Sequence, residues 1–490
     1  MDYVKKITPC FLMSPLSVST FLQPTNELFD LLICDEASQI FPEDAICSIY
    51  RAKQVIIVGD SKQMPPTNFF NSTVTDSEDD DSINPGDYES ILKFWSSITK
   101  PQELTWHYRS RHQSLIAFSN KNFYNNKLIT FPNASCVNNK NKKINKDDYE
   151  PIKPIYLKEG RFIDNCNKEE AAEIIKLINE HILNHKDKSL GIITFNLKQK
   201  EYIEDLFEKE KKNNSKIVDF DNFWKQKNEG IFIKSLENVQ GDERDTIFIS
   251  ICYGKDEDGK LHHRFGPINN KGGERRLNVA FTRAKNNMIV VSSMRSDEIN
   301  GNHKHEGTKI LKDFLEYINL DEKEREKYIS SSETTGDETT REFDSPFEQE
   351  VFDFINGFLD NNEYEIISQF KSFGFFIDMV IKNKKTGNYV LAIECDGKTY
   401  HSSLNARDRD RLRQEILESK GWKFYRILST RWWKKDKDID REKEYIKNEI
   451  LQLLSDKNNQ IDNNNSIEKN IDVIKEKSET KLREKFSKYP

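Results

Sequence analysis

A chain of 490 residues exceeds what one hydrophobic core usually supports, so about two to four domains are expected. Lys+Arg 75 against Asp+Glu 82 leaves a net charge of −7, which excludes a uniformly basic nucleic-acid coat or cationic membrane binder and confines any polyanion site to a local patch. With 31 Phe, 17 Tyr and 36% hydrophobic residues wholesale disorder is excluded, and the absence of a long apolar run or signal-like start leads us to expect a soluble cytoplasmic protein.

Seven cysteines, at 10, 34, 47, 136, 166, 252 and 395, include no C-x-x-C, so neither a disulfide framework nor a zinc ribbon fits. They are expected to be small buried apolar residues.

Short apolar runs rich in Ile, Val and Phe recur at FDLLIC (29–34), QVIIVG (54–59), GIITF (191–195), DTIFISIC (245–252) and MIVVSS (288–293). Their length predicts parallel strands buried on both faces. Amphipathic stretches such as EEAAEIIKLINEHIL (169–183) and QKEYIEDLFEKE (199–210) separate them, so residues 1 to about 300 are expected to form α/β layers. Two polar interruptions stand out. TDSEDDDSINPGD (75–87) has five acids in the six positions 76–81, and NNKNKKINKDD (138–148) is low-complexity. A charged, Ser/Thr-rich stretch from Asp321 to Asp344 predicts a boundary. Beyond it, helix 345–359, strands at FFIDMVI (375–381), YVLAIEC (389–395) and KFYRIL (423–428), and helix 406–421 predict a second compact α/β domain with a polar tail.

FDLLIC ends in Asp35-Glu36, followed by Gln39, and QVIIVG ends in Gly59-Asp60-Ser61-Lys62-Gln63. Two parallel strands then deliver acids and amides to one sheet edge, where one acid can hold hydrated Mg²⁺ and another can orient water. A helix cap with a first-turn acid is the plainer reading of D-E alone. Farther on, KGGERRLNVAFTRAK (271–285) carries a local charge of +4, which a solvated helix face would also explain.

CDEASQ, VGDSKQMPPT, LTWHYRSRHQSLIAFS (104–119), NVQGDERDTIFIS (238–250) and RRLNVAFTRAK (275–285) resemble, in order, motifs of superfamily 1 helicases. The likeness covers roughly residues 7–318 and is nearest to bacterial members of the branch that includes the nonsense-mediated-decay helicases. It implies two RecA-like lobes of the P-loop NTPase fold that bind ATP and nucleic acid. Residue by residue, it implies that Asp35 binds Mg²⁺ through water, Glu36 is the general base, and Gln39 and Gln63 sense the γ-phosphate beside Asp60. Arg109 and Arg283 would clamp that phosphate, and Gln240, Gly241 and Glu243 would couple nucleotide to the nucleic-acid strand. Such a helicase also needs a G-x-x-x-x-G-K-[ST] loop well before D-E, whereas Met1 lies 34 residues before Asp35. Gly397-Lys398-Thr399 is a decoy, because Ala392 stands where the first Gly belongs. The expectation is a truncated first lobe. An upstream polypeptide would supply the loop, or mutation has removed it, or the sequence is a piece of a longer one.

In the second domain, Asp378 lies alone among apolar neighbours, and Glu394 and Asp396 close a strand on one face, with Cys395 on the other. Acids from two adjacent strands can converge on Mg²⁺ or Mn²⁺ at a phosphodiester, although strand-end acids can also simply face solvent. Residues 345–433 resemble the restriction-endonuclease-like (PD-(D/E)XK) fold, and more narrowly the very-short-patch repair endonucleases. The matching elements are Glu348, Gln369, Asp378, Glu394, Asp396, His401, Asp410, Arg411 and Arg426. The likeness implies metal at Asp378, Glu394 and Asp396. Asp396 stands where the broad fold usually has lysine, so Lys398 or His401 would handle the proton or transition-state charge. Arg407, Arg409, Arg411 and Arg413 of helix 406–421 could track phosphates, although Asp408 and Asp410 suggest internal pairing.

The expected division is residues 1–74 for the C-terminal part of lobe 1, 75–100 for an acidic linker and 101–318 for a complete lobe 2. A charged linker (319–344), a nuclease domain (345–450) and a polar helical tail (451–490) follow. The expected function is an ATP-dependent helicase–nuclease acting on DNA rather than RNA, with a role in defence against foreign DNA. The rival is a non-catalytic nucleic-acid-binding or scaffold subunit.

Overall fold

The computed structural model describes residues 7–25, 28–66, 88–130, 150–299, 304–330, 343, 345–372, 375–397, 411–412, 414–418, 421–433 and 439–455. The chain divides into two compact units, one formed by residues 1–130 with 144–336 and the other carrying 337–490.

The first unit begins with α1 (Pro15–Phe21), β1 (Phe29–Cys34), α2 (Pro42–Ile49), β2 (Ala52–Ile57) and α3 (Ile91–Ile98). β1 and β2 are parallel, in register from Phe29↔Ala52 to Cys34↔Ile57. Cys34, Ala37, Ala45 and Ile91 are buried together with Leu32 and Ile57 against them, while the alternate residues Leu31, Ile33 and Ile56 are exposed. These two strands are therefore not buried on both faces as their composition predicts, because among the described residues helices cover one side alone. Residues 91–98 also depart from the expected linker. The Ser90 hydroxyl accepts from Lys93 N at the start of α3, and Leu92, Phe94 and Trp95 pack on the same core.

The next layer contains α4 (Ser114–Phe123), β3 (Ile152–Tyr156), α5 (Lys168–Asn184), β4 (Leu190–Thr194), α6 (Leu197–Asn213), α7 (Ser215–Gln226), β5 (Phe232–Ser235), β6 (Arg244–Ser250), α8 (Gly273–Phe281) and β7 (Ala284–Ser292). Its five strands form a parallel sheet in the order β3-β7-β6-β4-β5. Every residue of β4 is buried, so here the apolar runs behave as predicted. α5 starts where the Asn167 side chain accepts from Glu170 N, and Ile174, Leu177, Ile178 and Ile182 press its apolar stripe onto Ile192, Phe248 and Ile289. Each such isoleucine, cut to alanine, would cost about 2–5 kcal/mol. α9 (Glu306–Ile318) stacks Phe314 on Phe281 with ring centroids 3.5 Å apart. Within the expected linker, Glu322–Ser330 is instead a helix, α10, with the Tyr328 ring 4.8 Å from Tyr317 and 4.0 Å below Lys121 Nζ.

The second unit contains α11 (Pro346–Phe358), β8 (Tyr364–Ser372), β9 (Phe375–Asn383), β10 (Tyr389–Asp396), β11 (Phe424–Leu428), α12 (Ser429–Trp432) and α13 (Ile439–Ser455). Its sheet runs β8-β9-β10-β11, with the first two pairings antiparallel and the last parallel. Met379, Ile381, Leu391, Ile393 and Ile427 meet Val351, Ile355, Ile446 and Ile450 on one side of that sheet.

Among the described residues no helix is long and apolar enough to cross a membrane. The cysteine expectation holds in part: Cys34 and Cys252 are buried, but Cys10 and Cys47 are exposed, and Cys136 lies outside the described residues.

Candidate functional sites

At the end of β1 the chain turns sharply. Glu36 takes a left-handed φ of 50°, Asp35 Oδ1 accepts from Glu36 N at 2.9 Å, and both carboxylates are exposed, as is Gln39. A non-glycine residue holds that conformation only where its surroundings impose it. The imposition is visible in the backbone: Ala37 N donates to Val58 O at 2.9 Å, and a Cβ on Gly59 would stand 3.0 Å from Ser38 N. A side chain at Gly59 would therefore crowd the backbone of the Glu36 turn.

The later motif meets this edge. Gln240 Nε2 donates to Glu36 Oε2 at 2.9 Å while its Oε1 accepts from Met64 N at 3.2 Å. Gly241 follows with φ +87°, the turn that lets Gln240 project. Asp60 is a second hub, accepting from Lys62 N at 2.8 Å, Gln63 Nε2 at 3.0 Å and Tyr124 OH at 2.6 Å. Asn278 Nδ2 then donates to both Tyr124 OH and Lys62 O, each at 2.9 Å. Gln63 is therefore engaged by Asp60.

Arg109 Nε lies 2.5 Å from Glu243 Oε2, and Lys285 Nζ lies 3.3 Å from Glu243 Oε1. Burial raises the Glu243 carboxyl, but these two cations outweigh it and hold the carboxyl below its usual range. Arg283 is 2% exposed; its Nε donates to Val279 O at 2.8 Å and its Nη2 to Thr282 Oγ1 at 3.0 Å. Burial, helped by nearby Arg109, lowers its guanidinium to about 10 against the pull of Glu243 and Glu36. The basic patch around it is neutralised locally. Arg275 pairs with Glu89 at 3.0 Å, Arg276 with Glu237 at 2.6 Å and Lys285 with Glu229 at 3.0 Å.

Sequence reasoning missed three functional-looking residues in this unit. Tyr124 and Asn278 bridge elements far apart in the chain, and no local pattern signals such a partner. Glu170 sits fully buried under the C-terminal ends of β6 and β7, accepting from Ser250 Oγ at 2.7 Å, Cys252 N at 2.8 Å and Ser293 Oγ at 2.9 Å. The amphipathic pattern of α5 hides it among the acids of a first turn.

In the second unit Ser345 caps α11, its hydroxyl accepting from Glu348 N at 3.3 Å and donating to Glu348 Oε1 at 2.9 Å. Glu348 Oε2 accepts from Gln369 Nε2 at 2.7 Å. Gln369 has φ 48° and falls between the Ser368↔Met379 and Phe370↔Ile377 pairs, which sets it opposite Asp378. Asp378 Oδ2 accepts from Cys395 N at 2.7 Å, so β9's acid is fastened to β10 beside Glu394. Ile393 and Cys395 face the apolar side, leaving Glu394 and Asp396 on the other. Burial above all, with the charges of Asp378, Glu348, Glu394 and Asp396 adding to it, pushes the Cys395 thiol far up.

Asp396 is also paired with Arg426, whose Nη1 lies 3.2 Å from Oδ2. Lys398, His401, Arg407, Arg409, Asp410 and Arg413 lie outside the described residues, whereas Arg411 pairs along its own helix with Glu415 at 2.8 Å. Among the described residues no three His, Cys, Asp or Glu side chains form a ready cage for a metal ion. Asp378 and Glu394, acids of two hydrogen-bonded strands, nonetheless fit Mg²⁺, which is commonly held through one or two carboxylates plus water.

Two family models, each described as an AAA domain, match residues 16–70 and 88–295, and the REase_MTES_1575 family model matches residues 347–450. An uncharacterized ATP-dependent helicase of Mycoplasma genitalium is 31% identical over 446 residues, 88% of this chain and 38% of that protein. A regulator of nonsense transcripts 1 from Dictyostelium discoideum is 25% identical over 283 residues, covering 54% of this chain and 19% of that protein. A DNA replication ATP-dependent helicase/nuclease of Gallus gallus is 27% identical over 275 residues, covering 55% and 23% respectively. The chain thus spans well under half the length of these relatives. Residues 16–295 belong to the superfamily 1 helicases, in the branch of the nonsense-mediated-decay helicases, and residues 347–450 form a restriction-endonuclease-like domain joined to them.

Proposed function

We propose that this chain is part of an ATP-dependent helicase–nuclease that acts on DNA in the cytoplasm, hydrolysing ATP in the first unit and cleaving phosphodiesters in the second. The observation that carries the reading is the meeting of Glu36 with Gln240, which joins the D-E acids to the Q-G-D-E segment in one hydrogen-bonded edge. In this reading Asp35 holds Mg²⁺ with the nucleotide, Glu36 takes the proton of the lytic water, and Gln39 and Asp60 with Gln63 face the phosphates. Arg109 and Arg283 supply fixed positive charge, and Gln240, Gly241 and Glu243 link the nucleotide to the nucleic-acid strand.

In the second unit Asp378 and Glu394 would hold Mg²⁺ or Mn²⁺, which supplies charge neutralisation and a more acidic water. Gln369 and the Cys395 N–H orient Glu348 and Asp378. Lys398 or His401 would handle protons at the leaving or attacking oxygen. Defence against foreign DNA is our reading of the pairing of the two domains.

The phosphate loop is expected from a further polypeptide segment, and the exposed apolar row Leu31, Ile33 and Ile56 supports a segment that covers it. Phosphate release with single-stranded DNA, measured on this chain alone and with a loop-bearing segment added, tests the first half. Turnover at about 1–100 s⁻¹ is expected only in the mixture. Fast turnover by the chain alone, or none in the mixture, overturns it. Plasmid nicking by the full chain with Mg²⁺ or Mn²⁺, abolished by a chelator, tests the second half. No nicking under either ion favours the scaffold reading.

A further inference from the structure

Strand pairing sets Arg426 of β11 directly across from Glu394 of β10, so its side chain emerges on the face that carries Glu394 and Asp396. A chain of contacts fixes the guanidinium there. Glu418 Oε1 accepts from Gln414 Nε2 at 2.7 Å, Gln414 Oε1 accepts from Arg426 Nε at 2.9 Å, and Arg426 Nη1 reaches Asp396 Oδ2 at 3.2 Å. Nη2 has no hydrogen-bond partner among the described residues, and the Arg426 side chain keeps 28% of its surface exposed against 13% for Asp396. One arm of the fork is thus held by the protein, while the other has no hydrogen-bond partner among the described residues, on the face that carries Glu394.

Asp396 occupies the place where a cation is usual in this kind of site, and by itself it would add a fourth negative charge to Glu348, Asp378 and Glu394. A phosphodiester brings one more, and cleavage develops further charge on its non-bridging oxygens. A fixed cation at that position would offset this charge. Resting on the nuclease reading above, we propose that Arg426 is the cation that contacts the scissile phosphate, and that Asp396 is a positioning residue for its guanidinium rather than a metal ligand. An Asp that holds one guanidinium nitrogen leaves the others to bind a phosphate oxygen, and Arg's planar fork suits that division.

The test uses the full chain, supercoiled-plasmid nicking with Mn²⁺ for kcat and KM, and calorimetric titration with Mn²⁺ alone. Arg426→Gln is expected to lower kcat about 100-fold with Mn²⁺ affinity held within about threefold, and Arg426→Lys to recover part of the rate. Asp396→Asn is expected to bind Mn²⁺ like the parent while its kcat falls, whereas Glu394→Gln should weaken Mn²⁺ about tenfold or more. Nicking by Arg426→Gln at the parent rate overturns the proposal, and so does loss of Mn²⁺ by Asp396→Asn to the extent seen in Glu394→Gln. Should Arg426→Gln not fold, the Mn²⁺ titration of Asp396→Asn decides in the same way. A parent chain that fails to nick with either Mg²⁺ or Mn²⁺ removes the nuclease reading itself, whereas an active parent with an unaffected Arg426→Gln removes only this role.

Discussion

Glu36 Oε2 accepts a 2.9 Å hydrogen bond from Nε2 of Gln240, a residue 204 positions later in the chain. The same amide accepts from Met64 N at 3.2 Å, so one side chain bridges the segments that follow both strands of the first sheet. An amide so placed holds the carboxylate in one orientation without neutralising it, and any change in the Gln240 turn is passed to the Glu36 carboxylate.

In a preparation that hydrolyses ATP, this chain with a loop-bearing segment, Glu36→Gln should lower kcat at least about 100-fold and leave ATP KM nearly unchanged. The amide keeps the shape and loses the base. Gln240→Ala should give a smaller loss of about tenfold, because the base survives without its orienting partner. Phosphate release at saturating ATP measures both. Parent-like kcat in Glu36→Gln would remove it as the base.

Tyr124 ties Asp60 to Asn278 through a hydroxyl that donates at 2.6 Å and accepts at 2.9 Å. Burial, reinforced by the Asp60 carboxylate, keeps that hydroxyl protonated far above neutral pH. Tyr124→Phe removes a hydrogen bond to a charged acceptor and should destabilise the first unit by about 1.5–3 kcal/mol. Urea unfolding followed by tryptophan fluorescence measures it. An unchanged midpoint would mean that water replaces the hydroxyl at no cost.

Glu170 makes stability depend on pH in a stated direction. Burial pushes its carboxyl up to about 7, against the hydrogen bonds from Ser250, the Cys252 N–H and Ser293 that pull it down. Between the ordinary carboxylate range and pH 7 the folded protein keeps a proton that the unfolded chain has released. Stability from this group is therefore lost as pH rises through that window, and the loss levels off above it. The span amounts to about 3 kcal/mol. Glu170→Gln, whose amide can still accept from Ser250 and donate to the Ser293 hydroxyl, should be more stable relative to the parent at pH 8 than at pH 5, by about 2–3 kcal/mol. Equal differences at the two pH values would show that Glu170 is ionised throughout.

The legible part of the fold was the part governed by local pattern. β4 and β6 announce themselves as unbroken apolar runs because burial on both faces leaves no polar alternation. Ile33 and Ile56 carry the same signal and yet are exposed, since composition reports what a strand can bury and not what covers it. α3 was hidden by the acidic tract before it, although Ser90 and the apolar Ile91, Leu92, Phe94 and Trp95 are a helix start in plain view. In the candidate sites the acids at strand ends were readable. Tyr124–Asp60 and Arg426–Asp396 were not, because register and tertiary approach, absent from any window of sequence, decide them.

The decisive residue of the second unit is Asp378. One of its oxygens accepts from the Cys395 N–H at 2.7 Å, so it pins β9 to β10 beside Glu394. Asp378→Asn keeps an acceptor for that N–H and should preserve the fold, while removing a negative ligand. Nicking by the full chain is expected to fall at least about 100-fold, with calorimetric Mn²⁺ binding weakened in parallel. Asp378→Ala removes the acceptor as well and leaves a half-buried N–H unpaired, so it should lose a further 1–3 kcal/mol, roughly, of stability. The comparison separates chemistry from architecture: Asn and Ala should be equally inactive but unequally stable. Full nicking activity in Asp378→Asn, with the parent active, would mean that this acid is a strand clamp and that the metal is held elsewhere.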